Sequence, residues 1–182
     1  ACLSQSPQFY KQMAMASGFD QVFEIGPAFR AENSHTSYHA TEINMLDVEA
    51  SWLSDENEVM DIEENLLKYM FTRLKETYGK EIEETFHVTL SDVSVKFPRI
   101  TFQEAKRILK EEMNFIGERT DDFERHEEEL LCQYAKEKYG SDFIFVTKFP
   151  FAARPFYHML DENGLTKSYD LLFKGVEITT GA

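Results

Sequence analysis

The residues best suited to chemistry fall in four short stretches. The first is Gln5-Ser6-Pro7-Gln8-Phe9-Tyr10-Lys11. With Ser6 as a cap and Pro7 at the first helical position, Gln8 and Lys11 stand three apart on one face of the opening turn. An amide and an ammonium presented together would hold a small zwitterion bearing an extra carboxylate; a solvated helix start uses the same residue types. The second stretch is Phe29-Arg30-Ala31-Glu32. Strand alternation turns Arg30 and Glu32 to the same face, where Arg offers a fixed fork for phosphate and Glu accepts from amino groups. A cross-strand charge pair on a wet face reads the same way. The third, Asp47-Val48-Glu49, places two acids on one face. If Arg30 shares that face, Asp47 is positioned to take a substrate ammonium. The fourth runs from Tyr169 to Gly181 and carries Asp170, Glu177 and Thr180. Asp170 and Glu177 would lie on adjacent strands joined by a hairpin-like turn at Lys174-Gly175. Carboxylates converging on a sheet repel unless a cation sits between them, and oxygen donors suit Mg²⁺ arriving with a nucleotide. Thr180 could add a hydroxyl, although ordinary hairpin edges also carry such residues.

Elements that would position these groups can be read from periodicity. A helix is expected over 7–17, stopped at Gly18, followed by strands Gln21–Ala31 and Glu42–Trp52 around a polar loop, Glu32–Thr41. Val59, Ile62, Leu66, Met70 and Leu74 recur at helical spacing, predicting a helix over Ser54–Tyr78 that ends at Gly79. Two more amphipathic helices are expected over Thr101–Met113 and Phe123–Tyr139. Strands are expected at Phe143–Lys148, Phe156–Leu160, Ser168–Phe173 and Val176–Thr179, with a turn at Asp161-Glu162-Asn163-Gly164. This pattern predicts an α+β fold, an antiparallel β-sheet flanked by helices, in one domain over 1–182. Charge runs such as Glu127-Glu128-Glu129 read as solvated faces.

Composition narrows the classes. The chain has 182 residues, 42% of them apolar, with 16 Phe and 8 Tyr, enough to build a core. No run approaches 18 apolar residues, so no membrane span is expected. Cys2 and Cys132, far apart, suit a reducing cytoplasm better than a disulfide scaffold. A net charge of −14 argues against a broad electrostatic footprint for nucleic acid, so any RNA contact must be local.

Together and in this order, the stretches resemble the aspartyl-tRNA synthetases, closest to the archaeal-type branch, from end to end. Gln-Ser-Pro-Gln-x-x-Lys is similar to the aspartate enzymes' own string. Phe-Arg-Ala-Glu with Thr-Glu-x-x-x-Leu-Asp-Val-Glu, over about 21–52, looks like class II motif 2. Gly-Val-Glu-Ile-Thr-Thr-Gly, within about 168–181, resembles the branch's acidic stretch for Mg-ATP. The resemblance implies ATP and Mg²⁺ as cofactors and L-aspartate and tRNA(Asp) as partners, with tRNA(Asn) left open, in a homodimeric cytoplasmic enzyme. It implies that Lys11 pairs with the substrate's side-chain carboxylate while Gln8 and Asp47 hold its backbone end. Arg30 would bind the α-phosphate of ATP and the attacking carboxylate, and Glu32 would sit near ATP and the tRNA 3′ end. Asp170 would help to position substrate, and Glu177 and Thr180 would meet Mg²⁺. Lys11 favours aspartate, because an ammonium facing a neutral amide lacks its counter-charge. Phe149–Tyr157 resembles a stretch that lines the family's aspartate pocket, with no role beyond structure expected of Arg154.

Some positions depart from the family pattern. Ile43 stands where many class II enzymes stack a Phe on adenine, and Tyr38 where the branch often has Arg. His35 and His39 occupy the same loop. The family's anticodon-binding domain, motif 1 and motif 3 are not expected within 1–182, and by itself this chain is expected not to charge tRNA. Three rivals stay open: an asparaginyl-tRNA synthetase, an adenylate-forming paralogue that needs no tRNA, and a non-enzymatic interaction module.

Overall fold

A computed structural model describes residues 3–31 and 40–182. The chain divides into two compact units, Ala1–Ser54 and Asp55–Ala182.

In the first unit, helix α1 spans Gln8–Ala16, one residue shorter at its start than expected, with Pro7 as the cap position. The Ser6 hydroxyl accepts from the Gln8 N–H at 3.1 Å. Strands β1 (Gln21–Phe29) and β2 (Glu42–Ala50) pair antiparallel, from Gln21↔Ala50 to Phe29↔Glu42. One further hydrogen bond, from the Arg30 N–H to the Thr41 carbonyl at 2.9 Å, carries the ladder past the strand ends. The register sorts side chains by face. Val22, Glu24 and Ala28 share one face with Ile43, Asp47 and Glu49; Phe23 and Ile25 share the other with Leu46 and Val48. That second face is open to solvent, with Phe23 72% and Ile25 70% exposed.

The second unit opens with α2, Glu56–Phe86, whose Asp55 cap accepts from the Asn57 N–H at 2.8 Å. The helix runs through Gly79, where the sequence predicts a stop. A single helical glycine costs only about 1 kcal/mol, and the strong helix formers after it carry the helix on to a left-handed His87. Three residues not foreseen as a strand, Arg99–Thr101, form β3 and run into α3 (Phe102–Glu111), capped by the Thr101 hydroxyl. Helix α4 spans Arg125–Tyr139 behind a Glu124/Glu127 capping box and ends at a left-handed Gly140. Strands β4 (Phe143–Thr147), β5 (Tyr169–Phe173) and β6 (Val176–Gly181) complete a sheet ordered β3-β4-β5-β6. β3 lies parallel to β4, and the other pairs are antiparallel. The expected α+β class is thus realised, with one parallel edge.

The strand expected at Phe156–Leu160 does not form. A short 3-10 helix occupies Phe151–Ala153, and only a bridge from Leu160 to Thr166 remains. Phe156, Tyr157 and Met159 are exposed, and Pro155 supplies no N–H for a ladder. The neighbouring turn does form: Asp161 accepts from the Asn163 and Leu165 N–H groups, and Gly164 takes a φ of 76°.

Strand β4 explains where the core sits. All five of its residues are buried, so it reads as a continuous apolar run rather than an alternation. Ile144 and Val146 join Ile108, Leu131, Ala135 and Leu172 in one cluster; Phe143 and Phe145 join Met60, Phe97 and Leu171 in another. Each such side chain contributes roughly 1.5–3 kcal/mol on burial. Helices cover both faces of this strand, which makes the sheet a firm platform for β5 and β6.

Candidate active site

In the first unit, α1 lies over the polar face of the β1–β2 ribbon and delivers Lys11 to it. The Lys11 side chain is only 8% exposed, and its ammonium forms ion pairs with Asp47 and, at 2.9 Å, with Glu49. Gln12 donates to Glu49 at 2.9 Å and ties the second acid to the same helix. Burial works against the Lys11 charge, but hydrogen bonds and charge attraction from Asp47 and Glu49 more than offset it and hold its pKa above the usual lysine value. Gln8, on the same helix turn, has an exposed side chain. Alternation places Arg30 on the face that carries Asp47 and Glu49, as expected, but at its far end. Six ladder positions between Thr41 and Asp47 amount to about 20 Å, a span suited to an extended ligand. Glu32, with His35, Tyr38 and His39, lies outside the described residues, as does Cys2.

In the second unit, β5 and β6 join through Lys174 (φ 49°) and Gly175 (φ 86°), a two-residue turn with both residues left-handed, the combination that matches strand twist. Beyond the turn the register slips. Leu172 faces Glu177 while Leu171 faces Thr179, so Ile178 is an extra residue, a β-bulge. In a regular strand Glu177 and Thr180, three apart, would point to opposite faces. The bulge restores them to one face, and Asp170, paired with Thr180 across the ladder, shares it. Asp170, Glu177 and Thr180 are thus brought to one face by a device that the sequence does not display.

Two groups missed by sequence reasoning complete this cluster. Arg154, just after the 3-10 helix, bonds Asp170 Oδ2 through Nη2 at 2.5 Å. Glu128 projects from α4 toward Asp170 and the Glu177 backbone. The run Glu127-Glu128-Glu129 is not the solvated face expected. Successive helix residues turn about 100°, so Glu127 is fully buried against Lys106, Glu128 half-buried at the cluster, and Glu129 alone exposed. Their only signal in sequence was position on an amphipathic helix.

The crowding of acids shows in their ionisation. Desolvation, then the charge of Asp170, pushes Glu128 up to about 7. Desolvation, then Asp170 and Glu128, does the same to Glu177, also to about 7, although Glu177 is open to water in part and solvent weakens that effect. Burial raises Asp170 too, with Arg154 pulling the other way. Asp170 Oδ1 is buried and has no hydrogen-bond partner. As they stand, no three acidic, imidazole or thiol groups among the described residues converge closely enough to hold a metal ion unaided. Hollows beside α2, one lined by Lys75, Gly79 and Glu83 and one by Phe71, Ser91 and Val93, take in none of the expected site residues.

Comparison with known proteins decides the family. The sequence pattern of the tRNA synthetases class II (D, K and N) matches residues 1–182. The chain belongs to that family. An aspartate–tRNA(Asp/Asn) ligase of Thermus thermophilus is 46% identical over 182 residues, covering all of this chain and 42% of that protein. An aspartate–tRNA(Asp) ligase of Pyrococcus abyssi is 39% identical over 186 residues, with 100% and 41% covered. Among solved structures, the aspartyl-tRNA synthetase of Entamoeba histolytica superposes with a TM-score of 0.89 at 39% identity, covering 98% of this chain and 38% of that one. An asparaginyl-tRNA synthetase of Pyrococcus horikoshii, complexed with asparaginyl-adenylate, gives a TM-score of 0.78 at 33% identity over 94% of this chain and 39% of its own. The chain thus spans about two fifths of the length of these synthetase relatives. Among the described residues, no helix is long and apolar enough to cross a membrane.

Proposed function

We propose that a protein carrying this chain is an aspartate–tRNA ligase, working in the cytoplasm as a homodimer. The observation that supports it best is the Lys11 ammonium, buried between Asp47 and Glu49. A site that holds one cation beside two acids matches a ligand with two carboxylates and one ammonium. The ligand's side-chain carboxylate would meet Lys11, and its ammonium would meet Asp47, with Gln8 at its backbone end. Asparagine would leave the Lys11 charge facing a neutral amide, a mismatch of a few kcal/mol in a buried site.

Arg30, on the same face, would take the α-phosphate of ATP, with Glu32 close to the nucleotide. A carboxylate oxygen of aspartate attacks the α-phosphorus in line; the bond to the bridging oxygen breaks and pyrophosphate leaves. A terminal ribose hydroxyl of tRNA(Asp) then attacks the acyl carbon of the adenylate, loses its proton, and AMP departs. Such chemistry needs positioning and charge neutralisation more than a nucleophile–base pair. Mg²⁺, when bound with ATP, would neutralise phosphate charge. The donor set fits it, because the unpartnered Oδ1 of Asp170 and the shared face of Glu177 and Thr180 offer hard oxygens. Mg²⁺ characteristically binds through one or two carboxylates plus substrate phosphates. The word Asp/Asn in the Thermus relative's name favours a second reading, in which tRNA(Asn) is also charged.

Charging assays of the full-length protein with both tRNAs, beside aspartate-dependent pyrophosphate exchange, test this reading. Aspartate should drive exchange and asparagine should not. Lys11→Met should reduce aspartate activation at least a hundredfold. Exchange that runs equally well with asparagine, or survives Lys11→Met, would remove the proposal.

A further inference from the structure

Arg154 stands out because its side chain is held from two directions. Its guanidinium lies over the Phe149 ring, 3.8 Å from the centroid. Phe149 is fully buried and is itself wedged against Phe102 and Phe123. The stack therefore rests on the core, not on a loop. From that support Nη2 reaches Asp170 Oδ2 at 2.5 Å, with the Arg154 side chain 13% exposed and that of Asp170 5%. Nε of Arg154 is buried without a partner, so the fork makes a one-point rather than a two-point contact. The second carboxylate oxygen, Oδ1, makes no hydrogen bond of its own, with the Thr180 hydroxyl the other group acting on the Asp170 carboxylate, inside a cluster that also contains Glu128 and Glu177. Arg154 is the cation that faces both Asp170 and Glu177.

We propose that Arg154 is a positioning residue for the activation reaction: stacked on Phe149, it pins Oδ2 of Asp170 so that Oδ1 is presented to ligand, and it supplies the positive charge that lets the acids assemble before ligand arrives. The proposal rests on the activation reading above. Arg154 touches neither substrate nor nucleotide in this role; it acts through Asp170. A planar guanidinium is needed for the stack, and an ammonium would keep the charge while losing the orientation.

The test uses the full-length protein with Arg154→Met and Arg154→Lys, read by pyrophosphate exchange over a range of Mg²⁺ concentrations and by Mn²⁺ binding in the presence of ATP, followed by electron paramagnetic resonance. Arg154→Met should lower kcat tenfold or more, raise the Mg²⁺ needed for half-maximal exchange several-fold, and weaken Mn²⁺ binding to match. Arg154→Lys should recover part of each loss. On an Asp170→Asn background, Arg154→Met should add little, whereas a purely structural arginine would subtract its full effect again. Where Arg154→Met does not fold, Arg154→Lys decides: Mn²⁺ binding weakened more than twofold with a native unfolding temperature supports the role. Variants within twofold of wild type in kcat, Mg²⁺ requirement and Mn²⁺ binding overturn it, as do additive effects in the cycle. A wild-type protein with no aspartate-dependent exchange would instead sink the activation reading, leaving Mn²⁺ binding as the measure of Arg154.

Discussion

Lys11 shows how a single residue can be legible in sequence. Its spacing from Gln8 on a helix start, and the alternation of Asp47 and Glu49 on a strand, are local facts; the ion pairs of Lys11 with both acids join segments far apart in the chain and come from the fold. Glu128 and Arg154 were opaque for the opposite reason. Their surroundings are built by residues far away in sequence, which no local period reports. Glu128 has a consequence for stability. Burial and the neighbouring acids push its carboxyl up to about 7 in the folded chain from an ordinary 4.5, and shift that of the more exposed Glu177 in the same direction. The folded state therefore keeps protons that the unfolded state has released, and between about pH 4.5 and 7 these groups make stability fall as pH rises; above 7 their effect is constant. Glu128→Gln removes one of them, so the variant should gain on wild type as pH climbs through this window. Urea unfolding of both proteins at pH 5 and pH 7.5 checks it, and a gain that shrinks with pH would refute the upward shift of Glu128.

Among the elements, the long helices, the two antiparallel pairs and the fully buried β4 were readable from period, caps and turn residues. The reach of α2 through Gly79 was not, because a lone glycine is outweighed by the helix formers beyond it; nor were the three-residue β3, which is settled by its pairing with β4, and the missing strand at Phe156–Leu160, where Pro155 and exposed side chains leave no ladder to join. The β-bulge at Ile178 belongs with these: no residue type announces it, yet it decides which groups share a face. The turn beside it makes a stringent demand. Gly175 has a φ of +86°, and a Cβ there would lie 2.8 Å from Glu129 Cγ and 3.1 Å from its Cα. Gly175→Ala should therefore cost about 2–3 kcal/mol, from strain and from pushing α4 off the hairpin. Thermal unfolding should show a drop of several degrees, and an unchanged midpoint would mean that the turn can adopt another form.

For the molecule as a whole, net charge was plain from composition, and the α+β class, a sheet flanked by helices, followed from the order of elements. Burial was harder to foresee, because it depends on what each face meets. The second unit surrounds β4 with two apolar clusters, while the ribbon of the first unit leaves Phe23, Ile25, Leu46 and Val48 uncovered on one side. Scattered surface apolars are ordinary, but four across two paired strands make a continuous oily strip. Concentrated solutions of the bare 182-residue chain should therefore clump, despite the mutual repulsion of so many negative charges. Light scattering should register particles larger than one copy, and turning Ile25 and Leu46 into threonine should shrink them.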